Sequence, residues 1–215
     1  EIIDKYSEQY SYIQSIHIDK IIKDNKGKLY AIDQGVMKSK GEIIITTDAD
    51  IQMGKKWVNS MVANINSDIG LIVGMTMDNY TNKIIHLFQA LDGASIKIVS
   101  ALFVTIGFPI TCQGSNLAFL KEAYMEVRSR VLELGKAYGN REWLMQEIDM
   151  HTKWDIKHQL AMDSIAHTNP QDSWLSLINQ RSRWASTGKN YSKISIRLYL
   201  TMLYFSFVSL LIIPF

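Results

Sequence analysis

The run Glu42–Asp50, EIIITTDAD, constrains the fold more than any other stretch of this chain. Isoleucine and threonine are stiff at χ1 and favour extended backbone, so consecutive β-branched residues predict a strand. The run closes on two acids, Asp48 and Asp50. The neighbouring segments change type in turn. YIQSIHID reads as a strand, KLYAIDQGVMKSK has the helical spacing Leu29, Ile32, Val36, WVNSMVANIN reads as a helix, and IGLIVGMTM reads as a second buried strand. Such alternation predicts an α/β domain with a mainly parallel sheet flanked by helices. From about Asn82 to His167 the pattern is more helical, with Gly114 suited to a turn or a close backbone approach.

A chain of 215 residues is one domain, or one domain with an appendage. The balance of 23 basic and 21 acidic residues gives +2, which argues against a nucleic-acid partner. The lone Cys112 excludes an internal disulfide framework, fits a reducing compartment and reads as a buried hydrophobe. The opening residues read as the tail of a helix, as if the chain began at a cut. Leu198 to Phe215 carries no charge, is apolar all round and has a length near the lower end of the ~17–25 residues that span a bilayer. Lys189, Lys193 and Arg197 precede it, which predicts a cytoplasmic location for the domain before it. IVSALFVTIGFPITC is shorter, is broken by Gly107 and Pro109, and reads as core or interfacial.

Asp48 and Asp50 lie two apart beyond an apolar strand, so both carboxylates can address one side. Ligands of open α/β sheets collect at that end. Paired hard oxygens suit Mg²⁺ or Mn²⁺, which take further ligands from water and from substrate phosphates. That chemistry alone serves a phosphatase, a nucleotidyltransferase or a sugar transferase. Near the apolar tail, QRSRW sets Gln180, Arg183 and Trp184 at i, i+3 and i+4, one face of a helix. By itself, an Arg and a Trp there also fit a simple membrane-interface anchor. The five histidines show no metal-ligand spacing.

Taken in order, NKGKLYAIDQGVMKSKGEIIITTDADI, MQEIDM, QRSRW and an apolar span resemble the membrane-bound inverting glycosyltransferases of the GT-A fold. That group, within glycosyltransferase family 2, includes the cellulose, chitin and hyaluronan synthases. The resemblance implies a GT-A, Rossmann-like catalytic domain over 1–188, then a juxtamembrane segment and the start of a transmembrane region over 189–215. The family's opening strand and acidic nucleotide-base contact have no counterpart here, so the resemblance also implies an N-terminally truncated domain. Its implied activity is transfer of a sugar with inversion at the cytoplasmic face of a plasma or inner membrane. The donor would be a nucleotide-diphospho-sugar, expected to be a UDP-sugar, and the acceptor a glycan or a lipid.

Residue by residue, the resemblance implies that Asp48 binds the donor and Asp50 ligates Mg²⁺ or Mn²⁺. Lys28 would lie near the donor nucleotide, although the family usually has asparagine where Asp33 stands. Glu147 aligns with the family's general base, with Asp149 as its competitor, because the usual acidic pair is altered here. Ser115 and Asn116 would contact the acceptor, and N-capping explains them equally well. Gln180 and Arg183 would hold the diphosphate while Trp184 faces the acceptor sugar. Two other readings stay open: a metal-dependent nucleotidyl or phosphoryl transferase, and a catalytically degenerate membrane scaffold.

Overall fold

The computed structural model describes residues 2–18, 28–138, 142–188, 194, 196–198 and 201–202. Helix α1 (Ile2–Gln9) is followed by α2 (Lys28–Lys38), strand β1 (Ile43–Thr47), the two-residue β2 (Gln52–Met53) and α3 (Trp57–Val62). Strands β3 (Ile69–Val73) and β4 (Thr76–Asp78) then lead into the long α4 (Ile84–Thr105). After β5 (Asn116–Leu120) come α5 (Lys121–Tyr138), α6 (Glu142–His151), β6 (Asp155–His158), β7 (Ala166–Thr168) and α7 (Trp174–Gly188).

The main sheet has the order β1-β5-β3-β6, and a small second sheet has the order β2-β7-β4. The expected parallel character holds for strand direction but not for pairing. Strands β1, β3 and β6 run the same way, yet β5 enters between β1 and β3 in the reverse sense, so within the main sheet only the β3–β6 ladder is parallel, while β4 and β7 of the small sheet also pair in parallel. Periodicity cannot reveal this, because a buried strand has the same apolar pattern in either direction. The segment YIQSIHID forms no strand over its described residues, whereas the helices and strands expected between Lys28 and Asp78 are present.

Alternation along the central strands divides the core. Leu71, Val73, Leu117 and Phe119 face α2, α5 and α6, where they pack with Val36, Tyr124, Val127, Trp143 and Ile148. Ile72 and Ala118 face the other way, onto Trp57 and Met61 of α3. All of β3 is buried, as expected for a strand covered on both faces. Cys112 is likewise buried. Gly114 and Ser115 form the turn that opens β5.

Asp33 sits in the α2–α5 layer at 1% exposure. Its carboxylate accepts from Arg128 Nε and Nη2 at 2.6 and 2.9 Å and from the Tyr124 hydroxyl at 2.8 Å. Burial alone would raise its pKa, but the Arg128 and Tyr124 hydrogen bonds outweigh burial and hold the carboxyl below its ordinary range. The acid at this position is therefore a fastener between α2 and α5. Asp33→Asn is expected to lower unfolding stability at pH 7 by about 2 kcal/mol, the scale of hydrogen bonds to a charged group. A depressed carboxyl pKa stabilises above the unfolded value of 3.8 and loses that contribution as pH falls through the folded value. Urea unfolding of wild type and variant should therefore converge progressively as pH falls below 3.8.

Candidate active site

The β1 strand delivers its acids to an open cleft of about 220 Å³. Asp48, Asp50 and Ile51 line it from the turn after β1, and Thr76 and Asp78 line it from β4. Gly93, Ile96 and Lys97 come from α4, Gln113 and Ser115 from the approach to β5, and Thr168 from β7. Gln180 and Trp184 of α7 complete the wall. Residues far apart in sequence thus share one cavity.

Lys28 Nζ, at the start of α2, lies 2.5 Å from Asp48 Oδ1. Asp50 is exposed. Two carboxylates with a third, Asp78, in the same cleft give a hard, anionic oxygen set. No group of three or more His, Cys, Asp or Glu side chains poised to hold a metal occurs among the described residues. A hard cation held by Asp48 and Asp50 would have to take most of its ligands from outside the protein.

Asp78 and Lys97 escaped the sequence reading. Lys97 is 4% exposed, and its ammonium lies 3.4 Å from the Asp78 carboxylate. Gly93 makes this possible: a Cβ there would stand 2.7 Å from Asp78 Oδ2 and 2.8 Å from Lys97 Nζ. The available signal was a lone lysine in an apolar helix, which cannot be buried without a partner. Ser115 borders the cleft, where its hydroxyl shares a 3.2 Å hydrogen bond with Thr76.

Five of the expected site residues are not part of the cleft lining: Lys28, which reaches it only through Asp48, and Asn116, Glu147, Asp149 and Arg183. Asn116 is fully buried and its amide is used internally. It donates to the Met75 and Ser164 carbonyls at 2.8 and 3.0 Å and accepts from Trp57 Nε1 at 3.1 Å. Gly74 leaves room for this amide, since a Cβ there would meet it at 2.5 Å. Glu147 is 3% exposed on α6, 3.3 Å from His151, among residues that cover the far side of the sheet. Burial pushes its carboxyl pKa up, against the pull of His151 and Arg130. Asp149 is half-buried on the same helix, and neither acid lines the cleft. Arg183 is exposed and also lies outside the cleft lining. Arg181 occupies the organising place instead: it contacts Asp92, Gln180 and the Trp184 ring.

Helix α4 is built inside out. Its buried residues include His86, Gln89, Gly93, Lys97 and Ser100, while Ile84, Leu87, Leu91, Ile98 and Leu102 are exposed. It is long and apolar enough to cross a membrane by length and composition. On α7, Trp174, Leu175 and Ile178 are exposed as well, and Trp174 meets Phe88 of α4 at 5.5 Å between ring centroids. Of the run Leu198–Phe215, only Leu198, Thr201 and Met202 are described, all three helical; the rest lies outside the described residues, as do Lys189 and Lys193.

Comparison with known proteins bears on this geometry. Probable glycosyltransferase YdaM of Bacillus subtilis (strain 168) is 23% identical over 194 residues, covering 86% of this chain and 43% of that protein. The chain thus spans less than half the length of this curated relative. A crystal structure of a mycobacterial protein aligns with 76% of this chain and 49% of its own, at 15% identity and a TM-score of 0.36. The profile for glycosyl transferase family 2 matches residues 1–127, which contain the Asp48–Asp50 pair, Asp78 and Lys97, and on that match the chain belongs to glycosyl transferase family 2.

Proposed function

We propose that the cleft binds a nucleotide-diphospho-sugar, a UDP-sugar above all, and passes its sugar with inversion to a hydroxyl of a glycan or lipid acceptor. The observation that carries this reading is the shared cavity: Asp48 and Asp50 border the same cleft as Gln180 and Trp184. In this reading Asp50, with Asp48 beside it, holds Mg²⁺ or Mn²⁺, which supplies positive charge to the departing diphosphate. Lys28 steadies Asp48, and the Gln180 amide addresses the diphosphate. Trp184 offers an apolar ring to sugar C–H groups. Ser115 reaches an acceptor hydroxyl from the opening of β5.

The attacking hydroxyl must lose a proton as the new bond forms, and a carboxylate suits that task. Glu147 and Asp149 are the candidates aligned with the family's base, and α6 has to move before either enters the cleft. Asp78 is a third carboxylate already there. The burial of Glu147 outside the cleft lining also favours one competing reading, a degenerate transferase that serves as a membrane scaffold. We place the domain at the cytoplasmic face of a membrane. The inverted α4, the exposed apolar residues of α7 and the uncharged run after Arg197 support that placement.

Full-length protein in membranes, offered a panel of nucleotide sugars, is expected to release nucleoside diphosphate in a Mn²⁺- or Mg²⁺-dependent manner. Asp50→Asn should reduce that release by about a hundredfold or more. Release of pyrophosphate or phosphate instead would favour a nucleotidyl or phosphoryl transferase, and no release would favour the scaffold.

Glu147→Gln separates a buried acid from a base. The raised pKa means that ionised Glu147 costs stability, a cost absent below the unfolded value of 4.5 and growing as pH rises through the folded value. The variant should therefore unfold at a higher temperature than wild type at pH 7 and match it near pH 4. Loss of turnover by about a hundredfold in the same variant would assign Glu147 the base role. The matching loss in Asp149→Asn or Asp78→Asn would assign it there.

A further inference from the structure

Arg181 uses every part of its guanidinium. Nε and Nη2 clasp Asp92 Oδ2 of α4 at 2.8 and 2.7 Å, and Nη1 donates to Gln180 Oε1 at 2.6 Å. The guanidinium carbon lies 4.1 Å from the centroid of the Trp184 ring. Arg181 and Asp92 are both partly buried, at 24% and 31% side-chain exposure, so solvent weakens the pair only in part. Neither lines the cleft, yet the two residues Arg181 touches on its own helix do.

One chemical consequence follows from donor counting. A guanidinium has donors only, so the Gln180 atom facing it must be the amide oxygen. The other end of the amide is then the NH₂ group, two donors suited to anionic oxygens. Trp184, three residues on from Arg181, has its ring held by the cation above it, which limits ring rotation.

We propose that Arg181, anchored by Asp92, is a positioning residue that orients the Gln180 amide as a donor and holds the Trp184 ring for substrate. The proposal rests on reading the cleft as a sugar-transfer site. The ion pair also ties α7 to α4 beside a second link, in which Gln89 Nε2 donates to the Gln171 carbonyl and Gln89 Oε1 accepts from the Gln171 amide, both at 2.8 Å. With that link intact, loss of Arg181 should loosen the side chains at the cleft and leave the helices docked.

The test uses full-length protein in membranes with Arg181→Met, Arg181→Lys, Asp92→Asn and Asp92→Glu. Donor KM and kcat are read from nucleoside diphosphate release. Trp184 emission and acrylamide quenching are read as the difference between each variant and the same variant carrying Trp184→Phe. Arg181→Met and Asp92→Asn should raise donor KM by about tenfold, the scale of one lost charge-assisted contact, with a smaller change in kcat. Arg181→Lys should behave like Arg181→Met, because an ammonium cannot bond in two directions and stack at once. Asp92→Glu should recover most of the loss. Quenching of Trp184 should rise wherever KM rises.

Unchanged donor KM and unchanged Trp184 quenching in Arg181→Met would overturn the proposal. So would a fall in thermal midpoint with neither of the other two readouts moving, since that is the mark of a purely structural tie. Should wild type release no nucleoside diphosphate from any nucleotide sugar, the sugar-transfer reading fails, and Trp184 quenching alone decides whether Arg181 sets the ring.

Discussion

The structure depends on α4 turning its polar side inward. Burying His86, Gln89, Lys97 and Ser100 would cost several kcal/mol if their polar atoms lost water without replacement. Each finds a partner. His86 shares hydrogen bonds with Thr81 and Asp172, Gln89 closes a two-way bond with the Gln171 backbone, Lys97 pairs with Asp78, and the Ser100 hydroxyl donates to the Thr111 carbonyl at 2.6 Å. These partners come from β4, from the approach to β5 and from the segment before α7. Satisfying one helix therefore assembles three walls of the cleft.

The same inversion gives the molecule its polarity. One side of α4 contributes Gly93 and Lys97 to a cleft bordered by carboxylates, and the other presents leucine and isoleucine outward together with α7. Rotating a helix with this division would part Lys97 from Asp78 and turn leucine and isoleucine toward a cleft bordered by carboxylates. Under the proposed function, a cleft beside an apolar outer layer meets a charged donor on one side and a membrane on the other.

Local chemistry made part of this legible in the sequence. The β-branched run ending at Asp48, the helix from Lys28 and the helical face joining Gln180 to Trp184 all rest on short-range periodicity, and all are present. The reversed insertion of β5 was not legible, since apolar pattern carries no strand direction. Asn116 was ambiguous because an amide can cap, bind ligand or staple, and only the approach of Trp57, Met75 and Ser164 decides among these. Arg181 was passed over because the spacing rule favoured Arg183. Its own i, i+3 relation to Trp184, and the isolated Asp92 in an apolar helix, were the available clues. Asp78 and Lys97 belong to a pairing between strand and helix that no local pattern encodes.

The decisive question is whether the turn after β1 and helix α7 border one cavity in the working protein. Cysteines at Asp50 and Trp184, in a Cys112→Ser background and in full-length protein in its membrane, can be joined by a short bifunctional thiol reagent. Efficient intramolecular cross-linking is the expected result. Absence of that cross-link, in a preparation where cysteines at Asp92 and Arg181 do join, would contradict the shared cleft and everything derived from it.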